Sequence, residues 1–161
     1  MIMKRIHPSE ALVPGQTTLL LPACDHYAGS EKFMRKALDL QLQKKGAFDL
    51  TLDLEDGANV GREMEHLDAA LSLAAEAQTN PGRRGVRVHP YRHEAFGSEV
   101  RALVKRGKQH IAYVTLPKIN SARELQAACA AFEKENSGMP PFRLHVLIET
   151  LQALHEVREI A

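Results

Sequence analysis

The sequence predicts an α/β fold of the (β/α)₈ barrel type, of which this chain holds about the first five strand–helix units. Two observations lead to this prediction. Short apolar runs alternate regularly with longer segments of helical periodicity. Polar residues also gather at the ends of the apolar runs. Regular alternation of this kind is typical of a parallel sheet covered by helices.

The apolar runs are predicted as strands because they are short, partly β-branched and bounded by turn residues. They occupy residues 17–23, 48–54, 85–90, 110–118 and 143–150. The first of them, TTLLLPA, is predicted as the first strand of the sheet.

The segments between the strands repeat apolar residues at helical spacing, and they cover residues 31–44, 62–78, 95–107 and 121–136. Ser121 with Glu124 three residues later forms a predicted capping box at the start of the fourth helix. A last helix is predicted to begin near Leu151. Turn signals mark the ends of these segments at Lys45-Gly46, Asn80-Pro81-Gly82, Arg106-Gly107 and 137–141.

Composition does not separate a barrel from a doubly wound sheet, since both carry ligand sites at the carboxyl ends of parallel strands. Polar residues after five consecutive strands favour the barrel, because such residues converge on one point only when the sheet closes into a ring. They are Asp25 and His26, Glu55 and Asp56, Arg87 and His89, Lys118, and Glu149. A complete barrel takes about 250 residues. Residues 1–161 are therefore predicted to be a single domain, the N-terminal portion of a barrel.

Composition also excludes several classes of function. A formal net charge of +1 lacks the excess of positive charge that is typical of nucleic-acid-binding proteins. The only cysteines, Cys24 and Cys129, lack the spacing of zinc ligands or of a disulfide framework, so we expect a reducing, cytoplasmic location. No run of about 18 apolar residues occurs, so no membrane partner is expected. The eight histidines show no metal-ligand spacing and are predicted to lie mostly at the surface or behind the site residues.

The stretch FDLTLDLEDGA, residues 48–58, carries three carboxylates, on Asp53, Glu55 and Asp56. Strand periodicity sends its leucines to one face and Thr51, Asp53 and Glu55 to the other. Carboxylates this close together repel one another unless a cation lies between them. A structural interpretation gives Asp53 a buried ion pair and makes Asp56 a helix cap, whereas a functional interpretation places these carboxylates in a site.

Arg87 lies between Val86 and Val88, so its side chain is predicted to point away from the apolar face. Its planar guanidinium suits a carboxylate, either of a substrate or of Glu55 and its neighbours, and a purely structural ion pair is the alternative. Lys118 is assigned an electrostatic or structural role rather than that of a Schiff-base nucleophile.

Glu149 lies at the end of the last apolar run, in HVLIET, where only Thr150 follows it. A carboxylate at the carboxyl end of a strand is a plausible ligand for Mg²⁺, which binds one or two protein carboxylates together with substrate and water. The alternative is a simple preference for acidic residues near the start of the following helix.

Five motifs in this order and at this spacing resemble the HpcH/HpaI aldolase and citrate lyase beta-subunit-like superfamily. They are LLLPA, LDLEDG, VRVHP, TLPKIN and LIET. The resemblance covers nearly the whole chain. It implies a (β/α)₈ barrel that assembles as a homo-oligomer, commonly a trimer or hexamer. It also implies an Mg²⁺-dependent lyase that cleaves or forms carbon–carbon bonds in hydroxy acids or their CoA thioesters, by retro-aldol or retro-Claisen chemistry.

The resemblance assigns roles to four residues. Glu149 corresponds to the metal-binding glutamate, and Arg87 to the arginine that contacts the substrate and stabilises the developing enolate. Glu55 and Asp56 correspond to the acidic pair after the second strand, which makes Glu55 a candidate acid or base and Asp56 a candidate substrate contact. The second metal-binding carboxylate of the family lies on a sixth strand, beyond Ala161.

Two departures from the family pattern concern the substrate and the site. The stretch ACDHYAGSE has His26 or Tyr27 where the family usually has an arginine, which leaves the use of CoA open. Asn120 replaces a common acidic residue. The alternatives to a lyase are a catalytically silent partial-barrel binding or assembly protein, and an inactive fragment of such a lyase.

Overall fold

The computed structural model describes residues 22–56, 60–137 and 142–161. Within these residues, five strands form one parallel sheet: β1 (Asp25–Ala28), β2 (Asp49–Asp53), β3 (Arg84–Arg87), β4 (Tyr113–Leu116) and β5 (Arg143–Val146). The strands lie side by side in sequence order, from β1 to β5. A doubly wound sheet reverses its strand order at a switch point, whereas sequential order is the winding of a barrel. The predicted α/β fold of the barrel type is confirmed.

Helices follow the strands as the periodicity predicts. They are α1 (Glu31–Gln43), α2 (Glu63–Glu76), α3 (Phe96–Ala102), α4 (Ala122–Glu135), α5 (Leu151–His155) and α6 (Val157–Ile160). A 3₁₀ turn at Pro81–Arg83 precedes β3, and a π-helical turn at Leu103–Gly107 extends α3. None of the helices in the described ranges is both long and apolar enough to cross a membrane.

Hydroxyl side chains cap three of these helices. Ser30 accepts a hydrogen bond from the Phe33 N–H at 3.4 Å, and Thr150 accepts one from the Ala153 N–H at 3.1 Å. Ser121 caps α4 by accepting from the Glu124 N–H at 3.1 Å, which confirms that part of the predicted capping box. The Glu124 carboxylate turns back to the N–H of Asn120 rather than to that of Ser121.

The position of the first strand differs from the prediction. Residues 17–21 of the predicted strand lie outside the described residues, as do residues 138–141 of the last turn signal. Pro22 and Ala23 are not in a strand, and β1 begins at Asp25. Asp25 and His26 therefore lie within the strand rather than after it. The sequence DHYA has no apolar alternation because most of this edge strand is exposed.

The two faces of the sheet differ as period-two alternation predicts. Leu50, Leu52 and Leu54 are fully buried in the hydrophobic core beneath the helices, together with Val86 and Val88. The opposite face carries polar groups on adjacent strands, namely Thr51 and Asp53 on β2, Arg87 on β3, and Tyr113 and Thr115 on β4. Thr51, Asp53 and Thr115 are buried as well. The face of the sheet that points away from the helices is therefore polar.

Tyr113, the first residue of β4, covers the polar face at the amino-terminal end of that strand. Its hydroxyl lies 3.0 Å from the Thr51 hydroxyl and donates to the Asp25 carboxylate at 3.1 Å. Burial raises the pKa of Tyr113 above its ordinary value, so the phenol remains neutral. The ring lies directly over Gly85, where a Cβ atom would stand only 2.1 Å from the ring atom Cε2. Gly85 is therefore required for Tyr113 to cross β3.

The first prediction concerns this close approach. We expect Gly85→Ala to lower the free energy of unfolding by about 1–3 kcal/mol, because the methyl group displaces the Tyr113 ring in a packed interior. Urea unfolding monitored by circular dichroism measures the change.

Gly97→Ala is the matched control, since Gly97 is an exposed position of α3 and its Cβ would approach only the Arg101 guanidinium at 3.7 Å. Alanine there should be neutral or slightly stabilising because it favours the helix. Equal unfolding midpoints for the Gly85 variant and the wild type would contradict the assigned packing.

Candidate active site

Arg87 is the centre of a group of charged side chains at the carboxyl ends of the strands. It is the last residue of β3, and its Cα pairs in register with that of Asp53, the last residue of β2. Only 13% of the Arg87 side chain is exposed. The fold thus brings an arginine and a carboxylate together at the end of the sheet where barrels of this type place their ligand sites.

The guanidinium of Arg87 contacts three carboxylates. Nε and Nη2 donate to the two oxygens of Asp53 at 2.7 and 2.6 Å, a fork-to-fork pair. Nη2 also donates to Asp56 at 2.6 Å, and Nη1 lies 2.9 Å from a Glu55 oxygen. The hydrogen bond to Asp53 is the main cause that raises the pKa of Arg87 above its ordinary value, so the group stays cationic. Arg87 is the cation that the three carboxylates of residues 53–56 require.

This arrangement decides between the interpretations of two carboxylates. Asp53 is buried and forms the ion pair that the structural interpretation predicts. Asp56 is not a helix cap, because its carboxylate binds Arg87 and α2 begins only at Glu63. The Asp56 side chain is 71% exposed, whereas that of Glu55 is only 5% exposed. Asp56 is thus the member of this trio that faces solvent.

Lys118 links the trio to β5. Its backbone has a φ of 51°, a left-handed conformation that is unfavourable for a residue with a side chain. In this conformation its N–H donates to the Glu149 carboxylate at 2.8 Å, while its ammonium group lies 2.6 Å from the second oxygen of Glu55. Glu55 raises the pKa of Lys118, so the ammonium persists. These contacts fit the predicted electrostatic role.

Glu149 lies beyond the end of β5 and is exposed. The helix cap next to it is Thr150, not Glu149. Across the described residues, no three His, Cys, Asp or Glu side chains are arranged as a ready-made metal site. The assignment of Glu149 as a metal ligand stays a prediction.

The charges of this site do not balance. Three carboxylates, on Asp53, Glu55 and Asp56, contact the cationic groups of Arg87 and Lys118, and a fourth, on Glu149, accepts a hydrogen bond from the Lys118 backbone N–H. The formal sum, −4 plus +2, is −2. A surplus of two negative charges on oxygen atoms favours a further cationic group.

Sequence reasoning missed two features beside this site. The Tyr27 ring lies 5.2 Å from the Arg87 guanidinium carbon, close enough for a cation–π contact. Glu99 is completely buried and binds the ring of His89 at 2.6 Å. A signal for Glu99 was present, because it shares one face of α3 with the buried Phe96, Val100 and Leu103. A charged residue within such an apolar stripe indicates a buried partner.

Comparison with known proteins identifies solved structures that share this fold. No family model matches the chain, and neither does any curated protein. Among solved structures, a citrate lyase from Burkholderia xenovorans LB400 is 43% identical with a TM-score of 0.76, over 85% of this chain and 44% of that chain. RipC from Yersinia pestis is 20% identical with a TM-score of 0.60, over 88% of this chain and 53% of that chain.

CitE from Mycobacterium tuberculosis, in complex with magnesium, acetoacetate and coenzyme A, is 18% identical with a TM-score of 0.61. The match covers 87% of this chain and 44% of that chain. RipC and CitE share the fold at low identity, whereas the Burkholderia structure also shares much of the sequence. The chain spans about half the length of the structures it matches. These matches confirm the resemblance that the motifs indicate, to the HpcH/HpaI aldolase and citrate lyase beta-subunit-like superfamily. The confirmed resemblance covers about half the length of these relatives.

Proposed function

We propose that this chain supplies part of the active site of an Mg²⁺-dependent carbon–carbon lyase. The substrate is a hydroxy acid or its CoA thioester, which is cleaved by a retro-aldol or retro-Claisen reaction. The observation that carries the proposal is the buried guanidinium of Arg87, held by three carboxylates where the strands end. The likeness to a citrate lyase at 43% identity supports a lyase of this kind.

The donor set fits a hard divalent cation. The site offers carboxylate oxygens with a formal surplus of two negative charges, and Mg²⁺ prefers oxygen ligands. Glu149 is the proposed ligand, because its exposed carboxylate has a single contact with the Lys118 N–H among the described residues, which an ion could replace. When bound, the ion supplies Lewis acidity toward the oxygen at the breaking bond.

Arg87 is proposed to stabilise the enolate. Asp53 fixes its orientation through two hydrogen bonds, and burial removes competing water. Nη1 faces only Glu55 among the described residues, so it retains a donor for a substrate oxygen. A fixed positive charge at the point where negative charge develops often gives the largest catalytic contribution.

Glu55 and Asp56 take different proposed roles because their surroundings differ. Glu55 is buried between Arg87 and Lys118 and is the proposed acid or base. Asp56 is exposed beside Arg87 and is the proposed substrate contact, since its carboxylate can accept a hydrogen bond from a substrate hydroxyl.

The proposal extends to the assembly of the protein. Within the described residues, β1 and β5 each pair with one neighbouring strand and leave the sheet open at two edges. Open edges of parallel sheets are normally covered. We propose that residues 1–161 are the N-terminal portion of one barrel domain. We also propose that the protein is cytoplasmic and assembles as a trimer or hexamer. Nucleic acid and membranes are not among its proposed partners.

A second candidate function is a catalytically silent binding or assembly protein. The observation that favours it is the lack of a complete three-ligand metal site in the described ranges, together with coverage of about half of each relative. A lyase assay separates this candidate from the first.

The second prediction is Mg²⁺-dependent cleavage of one or more members of a panel of citryl-, malyl- and citramalyl-CoA and the free hydroxy acids. Arg87→Ala should lower kcat by at least about 10²-fold, because it removes the fixed charge at the enolate. Glu149→Ala should abolish the response to Mg²⁺.

Arg101→Ala and Glu135→Ala are matched controls, since both side chains are exposed on helices and lie outside the charged site. If Arg87→Ala and Glu149→Ala both turn over substrate at the wild-type rate, the roles assigned to Arg87 and Glu149 are refuted. A wild-type protein without turnover on the whole panel would favour the silent protein.

The third prediction concerns metal binding without turnover. Mg²⁺ should raise the midpoint of thermal unfolding of the wild type, because a ligand of the native state stabilises it by mass action. Glu149→Gln should remove this rise, whereas Glu135→Gln should retain it. An equal rise in the Glu149 variant would show that the ion binds elsewhere.

A further inference from the structure

His89 and Glu99 form a buried pair beside the candidate site that the proposed function leaves without a role. The His89 Nδ1 lies 2.6 Å from one Glu99 oxygen, and the His89 backbone N–H donates to the other oxygen at 3.0 Å. Glu99 has no exposed surface, and 6% of His89 is exposed. One carboxylate therefore fixes both the backbone and the ring of His89.

His89 lies two residues after Arg87, just beyond the carboxyl end of β3. The extended chain continues past β3, because the Val88 N–H bonds to the Thr115 carbonyl at 3.2 Å and Val88 lies in the core. Strand alternation, continued past Arg87, predicts that His89 lies on the same side of the chain as Arg87. Glu99 approaches from α3 and takes Nδ1, so that Nε2, across the ring, is directed away from α3. The His93 ring stacks on His89 with 4.2 Å between centroids and holds its plane.

The charges around His89 favour its cationic form. Buried carboxylates in proteins are normally paired, and His89 is the hydrogen-bonded partner of the fully buried Glu99. The bond to Glu99 is the main cause that raises the pKa of His89, burial opposes it, and Glu63 and Glu55 add to it. The charged and titratable groups around the ring are Glu99 on α3, Glu63 on α2, Glu55 after β2 and His93 in the next loop. Arg87 lies two residues earlier in the chain, at the end of β3.

We infer that His89, positioned by Glu99, is the acid that protonates the enolate carbon in the cleavage reaction. The inference rests on the proposed function and adds to it a proton donor that the sequence did not indicate. A histidine held at Nδ1 by a carboxylate has a fixed tautomer and exchanges protons at Nε2.

The proton from His89 completes the cleavage. A base takes the proton of the substrate hydroxyl, whose oxygen becomes a carbonyl as the carbon–carbon bond breaks. The electron pair of that bond leaves on the other fragment as an enolate. The Nε2–H bond of His89 then breaks, its proton forms a C–H bond at the enolate carbon, and the neutral ring regains a proton from solvent. No electrons are gained or lost overall.

The test uses the Mg²⁺-loaded protein and two measurements, turnover on the hydroxy-acid and acyl-CoA panel and exchange of the product's α-protons with D₂O by ¹H NMR. We expect His89→Gln to lower kcat by about 10²–10⁴-fold with KM unchanged, and to lose the exchange. His110→Gln is the matched control, since His110 lies before β4 at the opposite end of the sheet. It should behave as the wild type.

Substitution of Glu99 should shift the pH profile of kcat, which a purely structural role of Glu99 would leave unchanged. If His89 acts as an acid, kcat falls as the pH rises through the pKa of His89. Glu99→Gln removes the main cause of the raised pKa, so this fall should move to lower pH, and Glu99→Asp should restore it in part. The pH profile of kcat checks this, and it remains decisive if His89→Gln does not fold.

The outcomes separate the two proposals. Wild-type turnover and exchange in a folded His89→Gln variant, or an unmoved pH profile in Glu99→Gln, would overturn the role of His89 while the lyase stands. A wild type without turnover on any substrate of the panel would overturn the proposed function itself.

Discussion

The ion pairs of Arg87 are the interaction on which the candidate site depends. Asp53, Glu55 and Asp56 lie within four consecutive residues, and two of them are nearly buried. Without a cation their repulsion would favour protonation or exposure. Removing one partner of a buried ion pair costs about 3–5 kcal/mol, because the other charge is left without compensation. Arg87 therefore makes a dense group of carboxylates compatible with a folded interior.

The fold places Arg87 through register and packing. Parallel pairing aligns Arg87 with Asp53 on one side and with Thr115 on the other, while its neighbouring valines anchor β3 in the core. Below this level, Tyr113 fills the polar face because Gly85 leaves room for its ring. The strands in sequence order then bring residues after β2, β3, β4 and β5 to one edge of the sheet. The contacts of Glu55, Arg87, Lys118 and Glu149 follow from that arrangement.

Much of this organisation was predictable because it rests on local patterns. Alternation in β2 and β3 placed the leucines and valines on one face and Asp53 and Arg87 on the other. Other features depend on long-range pairing, which one sequence does not reveal. Strand β1 is polar and mostly exposed at the edge of the sheet, so it gave no apolar signal. The two-pronged ion pair of Asp53 with Arg87 follows from the register of β2 and β3. The left-handed backbone of Lys118 accompanies contacts with Glu55 and Glu149, which follow two other strands.

The proposed function depends on Glu149 completing this charged group as a metal-dependent site. Crystals grown with Mn²⁺ in place of Mg²⁺ would test it most directly, because anomalous scattering locates the ion without reference to activity. We expect a peak at bonding distance from the Glu149 carboxylate, about 2.0–2.2 Å, beside Glu55 and Asp56. A peak remote from Glu149, or no peak at saturating Mn²⁺ with Glu149 still bound to the Lys118 N–H, would contradict it.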